Sequence, residues 1–259
     1  MTQTGTSGAQ LRTQAWMRAS CPPTRPRPAA GFTMMTAGSI RPFYTPWDNA
    51  LMGMLARFLD GAPPPTRLWL TRAGPVENPR GVLYSHPGRP LTPAGRDALA
   101  GLAARLEAAV THVYAPDSLA ETEAARLLAE RLGAPYTLEP GLRERAWGDW
   151  EGLDFATVRR RWPADVERWK HDEAGFAPPG GESLVDVERR TRPLLERLLE
   201  RHPGGDVVLV GNCTVNRVAL RLALPFLPLA EGLRLEQDYA AWTELRFYGA
   251  DGVLARLNG

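Results

Sequence analysis

Lysine is nearly absent from this chain: Lys170 is the only one, although lysine and arginine together number 31. Arginine used this uniformly reads as a coding bias, so a single arginine is informative only where its position singles it out. Against 29 acidic residues the net charge is +2, too small to argue for a nucleic-acid or membrane partner, which usually leaves a dense one-sided basic patch. Cysteine is scarce too. Cys21 and Cys213 lie in unrelated contexts, which argues against a disulfide framework or a zinc cluster; no metal or other cofactor is expected, and a reducing, cytoplasmic setting fits. No apolar run reaches the roughly 18–20 residues of a transmembrane helix, because arginine or an acid interrupts each one. What is present, 259 residues of which 44% are hydrophobic, suffices to bury a core.

Residues 1–40 contain no acid and no sustained apolar period, and are rich in Thr, Ser, Gly, Pro and Arg, so they are expected to form a disordered tail. A targeting peptide can share this composition, but Pro22, Pro23, Pro26 and Pro28 interrupt the amphipathic helix it needs, and Met34 and Met35 offer alternative starts. Residues 41–66 are expected to hold a short helix from Thr45 to Gly61, with Leu51, Met54, Leu55 and Phe58 at helical spacing, followed by a proline-rich linker. Across 67–259 strands and helices alternate. The pattern predicts strands at Leu68–Leu70, His112–Tyr114 and Asp206–Gly211, and helices at Pro93–Leu106, Glu121–Leu132, Phe155–Trp162, Ser183–Glu200 and from Val215 onward. Such alternation implies an α/β three-layer sandwich, a mainly parallel sheet with helices on both faces, whose ligands gather at the carboxyl ends of the strands.

The loops at those ends carry five segments: LTRAGPVENPRG, PLTPAGRDALAGLAARL, LRERAWGDWEGL, PPGGES and VVLVGNCTVNRVAL. In order and spacing they resemble the histidine phosphatase superfamily, the phosphoglycerate-mutase-like proteins, from about Leu68 to the end. The resemblance implies an Arg-His-Gly turn after the first strand, whose histidine attacks the phosphoryl group. This chain has Arg72, Ala73 and Gly74 there, and a methyl group is no nucleophile. The family's second histidine corresponds to Asn212, and its second phosphate-binding arginine to Ala120. Its general-acid glutamate has a match in Glu144.

A phosphate dianion needs several charge-assisted donors, and the implied losses leave Arg72, the Asn212 amide and backbone N–H groups at helix starts. Asn212 also has a plain structural reading, satisfying loop backbone. A relocated nucleophile is to be sought at His86, in the loop expected to fold over the site, or at Cys213, which otherwise serves as small apolar filling. His112 and His202 read as structural, and His171 as surface. Trp147, Trp150, Trp162 and Trp169 read mostly as core or lid packing, with some lining a binding face. The resulting expectation is a pseudoenzyme whose pocket, formed by Arg72, Glu144, Asn212 and His86, binds a small phosphorylated or anionic ligand, or that binds a protein partner. The rivals are a phosphomonoester hydrolase or mutase with altered catalytic residues, and a structural oligomer-forming module.

Overall fold

Every residue of the run DVVLVG is buried, and the run forms β4 (Asp206–Gly211), a strand covered on both faces. In the computed structural model, which describes residues 63–78, 80–85 and 89–259, this strand lies inside a six-stranded sheet of order β3-β2-β4-β1-β5-β6. The tail, the helix expected at Thr45–Gly61 and His86 fall outside the described residues. Strands β1 (Thr66–Arg72), β2 (Val110–Ala115) and β3 (Tyr136–Leu138) run parallel with β4, so the parallel sheet read from the sequence is present. It is a mixed sheet rather than a purely parallel one. A hairpin of β5 (Thr243–Tyr248) and β6 (Asp251–Arg256) adds one strand antiparallel to β1 and closes the edge.

Side-chain alternation along the strands supplies two cores. Leu68, Leu70, Val207 and Leu209 face helices α5 (Leu184–Arg201) and α6 (Cys213–Ala223). Trp69, Val208 and Val210 face α1 (Pro93–Ala104) and α2 (Leu119–Leu132). The three-layer architecture follows. A third cluster is built around Trp150, fully buried, with Val158 of α3 (Phe155–Arg161), Val166 of α4 (Pro163–His171) and Phe176. Trp147, Trp162 and Trp169 pack on its margin.

Helix boundaries depart from the periodicity reading where caps decide. The single helix expected at Phe155–Trp162 is the first of a pair, because Trp162 ends α3 and Pro163 starts α4. Helix α5 begins with the full capping box: Ser183 Oγ accepts from the Asp186 N–H, and the Asp186 carboxylate accepts from the Ser183 N–H, both at 3.0 Å. Helix α6 starts at Cys213 instead of Val215, since Asn212 is its N-cap. Among the described residues no helix is long and apolar enough to cross a membrane.

Candidate functional site

Parallel pairing sets the C-terminal end of β1 directly beside that of β4, with Arg72 opposite Gly211. Both chains turn away there, β1 into Ala73–Gly74 and β4 into Asn212 and α6. The first turn is tight against α1: a Cβ on Gly74 would sit 2.8 Å from the Gly95 carbonyl oxygen. Ala73 is buried, 6% exposed, and packs among the apolar side chains of the α1–α2 face. A cavity of about 90 Å³ opens over this crossing and is lined by Arg72, Ala73, Ala120, Glu121, Glu144 and Asn212, among others. Five of these six were singled out by the sequence; Glu121 was not. It enters because α2 begins at Leu119, two residues earlier than its apolar period suggests.

Local bonds already occupy the groups that remain for an anion. Asn212 Oδ1 accepts from the Val215 N–H at 2.9 Å, and its Nδ2 donates to the Leu142 carbonyl at 2.9 Å. The Thr214 N–H donates to Glu144 Oε2 at 3.3 Å, and the Arg145 N–H to Glu144 Oε1 at 2.7 Å. The start of α6, read from sequence as an open anion cradle, is therefore filled by an amide oxygen and a carboxylate of the chain itself. Arg72 is also engaged. Its Nη1 donates to the Gln237 carbonyl at 3.0 Å, and its guanidinium lies 3.9 Å from the centre of the Tyr239 ring.

Electrostatics in this cavity are balanced rather than positive, since Arg72 and Arg89 face Glu121 and Glu144. Burial raises the Glu121 carboxyl above its usual range; the Ser118 hydroxyl bonded to it opposes this, and the Glu144 charge adds to it. The Tyr84 phenol is pushed up to about 12, chiefly by burial, so it stays protonated. Among the described residues no group of three or more His, Cys, Asp or Glu side chains could hold a metal ion.

The support under Glu144 comes from residues that the sequence reading passed over. Arg190 on α5 grips both oxygens of Glu182, at 2.8 and 2.9 Å, and donates to the carbonyls of Gly141, Arg143 and Glu144. Arg145 lies almost wholly buried beneath, with Nε on the Glu182 carbonyl and Nη2 on that of Phe176. Burial first of all, with the like charge of Arg217 adding to it and Glu144 opposing, pushes the Arg145 guanidinium down to about 10. The signal was burial for Arg145 and a run of short bonds for Arg190, which composition hides in a chain crowded with surface arginines.

The other histidines lie elsewhere. His112 Nε2 is 2.9 Å from Thr137 Oγ1 and stacks on Tyr114, whose hydroxyl is 2.9 Å from His202 Nε2. His171 is exposed at the end of α4. Cys213, by contrast, lines the cavity at Ala73 together with two neighbouring ones.

Comparison with known proteins agrees with this geometry. The model of the histidine phosphatase superfamily (branch 1) matches residues 68–259. The chain is 36% identical over 195 residues to the bifunctional protein Rv2228c of Mycobacterium tuberculosis (strain ATCC 25618 / H37Rv), covering 73% of this chain and 52% of that protein. It is 39% identical over 134 residues to the glucosyl-3-phosphoglycerate phosphatase of the same strain, covering 48% and 59%. The chain thus spans about half the length of the curated relatives it matches. The native structure of mycobacterial glucosyl-3-phosphoglycerate phosphatase Rv2419c matches with a TM-score of 0.65 at 28% identity, over 75% of this chain and 99% of that one. An α-ribazole phosphatase from Shigella flexneri, 22% identical, shares the fold with a TM-score of 0.66 over 75% and 96% of the two chains. With every site loop and all of the sheet but the first two residues of β1 inside the matched range, the chain belongs to the histidine phosphatase superfamily.

Proposed function

We propose that this chain is a non-catalytic member of its family, a pseudoenzyme that binds a small ligand carrying an anionic or phosphorylated group. The observation that carries the reading is Ala73, directly after Arg72 at the end of β1. In the family pattern that position belongs to the histidine that accepts the phosphoryl group, and a methyl side chain has no lone pair to attack phosphorus. Asn212 and Ala120 stand where the pattern calls for a second histidine and a second arginine. Without them the charge developing on a transferring phosphoryl group would meet two guanidinium groups offset by two carboxylates. The relatives' printed activity, removal of a phosphoryl group from glucosyl-3-phosphoglycerate, is therefore not carried over.

One observation favours a second reading, a phosphatase with altered residues. Cys213 lines each of the three cavities around Arg72, so a thiol stands within the site, while no histidine among the described residues lines it. A single assay separates the two. Purified full-length protein is incubated with p-nitrophenyl phosphate and with glucosyl-3-phosphoglycerate, beside Arg72→Ala and Cys213→Ser. The proposal expects no hydrolysis that either substitution removes. Turnover abolished by both would establish the altered enzyme instead.

A further inference from the structure

Arg217, in the second turn of α6, is a buried guanidinium without a close oxygen partner among the described residues. Its side chain is 10% exposed, yet its nearest carboxylate oxygen, Glu173 Oε1, is 3.6 Å from Nη1. Cys213 Sγ is 3.7 Å from Nη2, and Nε has no partner among the described residues. Charge-assisted bonds normally close to about 2.7–2.9 Å, and a buried charge left without them is costly. Arg145, more deeply buried, and Arg190, more exposed, do satisfy that expectation, with contacts of 2.6 to 2.9 Å to carbonyls and to Glu182. Arg217 stands apart from both.

The Arg217 side chain borders open space. Arg217 lines a cavity of about 340 Å³ walled by Trp147, Trp169, Glu173 and Thr214, and a second of about 330 Å³ bounded by Gly232 and Gln237. Cys213 and Arg72 line both. Arg217 does not line the smaller cavity at Ala73 and Ala120. In the larger cavity the carboxylate of Glu144 already accepts two backbone N–H groups, and Arg72 is held by Gln237 and Tyr239. Positive charge from Arg72 and Arg145 adds to that of Arg217; Glu173 and Glu144 oppose it, Glu173 lying next to Arg217 itself. Trp147 and Trp169 meet edge to face, with ring centres 5.9 Å apart, and present flat apolar surface beside these guanidinium groups.

We propose that Arg217 anchors the oxyanion, phosphate or carboxylate, of a small ligand whose remainder lies against Trp147 and Trp169, displaced from the turn at Ala73. The proposal rests on the site being a binding pocket and relocates its anionic contact. It also explains why the start of α6 can be filled by Asn212 and Glu144: the anion is taken one turn further along the helix. Glu173 then acts as a weak internal competitor, and its removal should strengthen binding.

Alkylation of Cys213 gives a local readout. Full-length protein carrying Cys21→Ser is treated with iodoacetamide, and modification of Cys213 is followed by mass spectrometry at rising concentrations of inorganic phosphate or of benzoate. Sodium chloride at matched ionic strength is the reference. Saturable protection is expected from at least one probe. If phosphate alone protects, the oxyanion is a phosphate; protection by benzoate alone assigns a carboxylate on an aromatic body. Arg217→Gln should raise the half-protecting concentration at least about tenfold, the loss expected for a charged hydrogen bond. Glu173→Gln, a half-exposed position that leaves the fold intact, should lower it severalfold and keeps the test decisive if Arg217→Gln does not fold. Protection by neither probe, or protection unchanged in both variants, overturns the proposal. Protection lost in Arg72→Ala but kept in Arg217→Gln also overturns it while leaving the non-catalytic reading in place. Hydrolysis of phosphomonoesters overturns that reading without touching the anion site.

Discussion

Replacing Asn212 by alanine tests whether this residue is part of the fold or a spare ligand. Asn212 is 8% exposed and both ends of its amide are bonded, Oδ1 to the Val215 N–H and Nδ2 to the Leu142 carbonyl, each at 2.9 Å. Loss of the cap should cost about 1 kcal/mol. Loss of the donor to the carbonyl of Leu142, itself fully buried, should cost about a further 1–3 kcal/mol. The sum, about 2–4 kcal/mol, is a large share of a domain's stability. Urea unfolding of the two proteins measures it, with an unchanged slope showing that the same surface is exposed in both. Asn212→Asp should fall between wild type and Asn212→Ala, because it keeps the acceptor at a helix N-terminus but abolishes the donor and adds charge beside Glu144. A midpoint for Asn212→Ala within about 0.5 kcal/mol of wild type, the usual range of inconsequential surface changes, would refute the structural role.

Glu121→Gln should change how stability depends on pH. The Glu121 carboxyl titrates above its ordinary 4.5, so the folded state holds a proton that the unfolded chain has released, and stability falls as pH rises from 4.5 through the folded value. The glutamine variant should lack that decline in pH-dependent unfolding; an identical profile would show that Glu121 is solvated. Gly148→Ala should be severely destabilising, by more than about 3 kcal/mol in denaturant titrations, because the residue has φ of 54° and its Cβ would lie 2.1 Å from the Pro179 carbonyl oxygen. Asn216→Ala should raise stability by about 1 kcal/mol in the same experiment, since Asn216 is fully buried and neither atom of its amide has a partner among the described residues; a loss of that size would mean a bond the structure does not display.

The alternation of apolar strands with amphipathic helices made the layered α/β fold legible, since DVVLVG and the α5 period can be satisfied only by a covered sheet and a half-buried helix. The β5–β6 hairpin was not placed. Glu244 and Arg246 interrupt its apolar side chains, and Glu244 is buried only because it pairs with Arg246 at 2.6 Å. At the site, Arg72, Ala73 and Asn212 lie beside one another because β1 and β4 pair in parallel with Arg72 opposite Gly211. Glu121, Arg145 and Arg217 stayed hidden. Their importance depends on where a helix starts and on which arginines of many are buried, and both are settled by caps and packing rather than by period. The filling of the α6 start by Glu144 was equally unreadable, because it joins residues 70 positions apart.

Trapping of a phosphorylated protein tests the central claim most directly. Full-length protein is mixed with a radiolabelled phosphoryl donor such as phosphoramidate, quenched within one turnover time of an active family member, and digested so that any label can be assigned to a residue. A chain with alanine after Arg72 should carry no label at the site, while Ala73→His, restoring an imidazole at the end of β1, is the only variant expected to gain any. Stoichiometric label on Cys213 or His86 of the wild-type chain would contradict the account and identify the nucleophile that replaces the missing histidine.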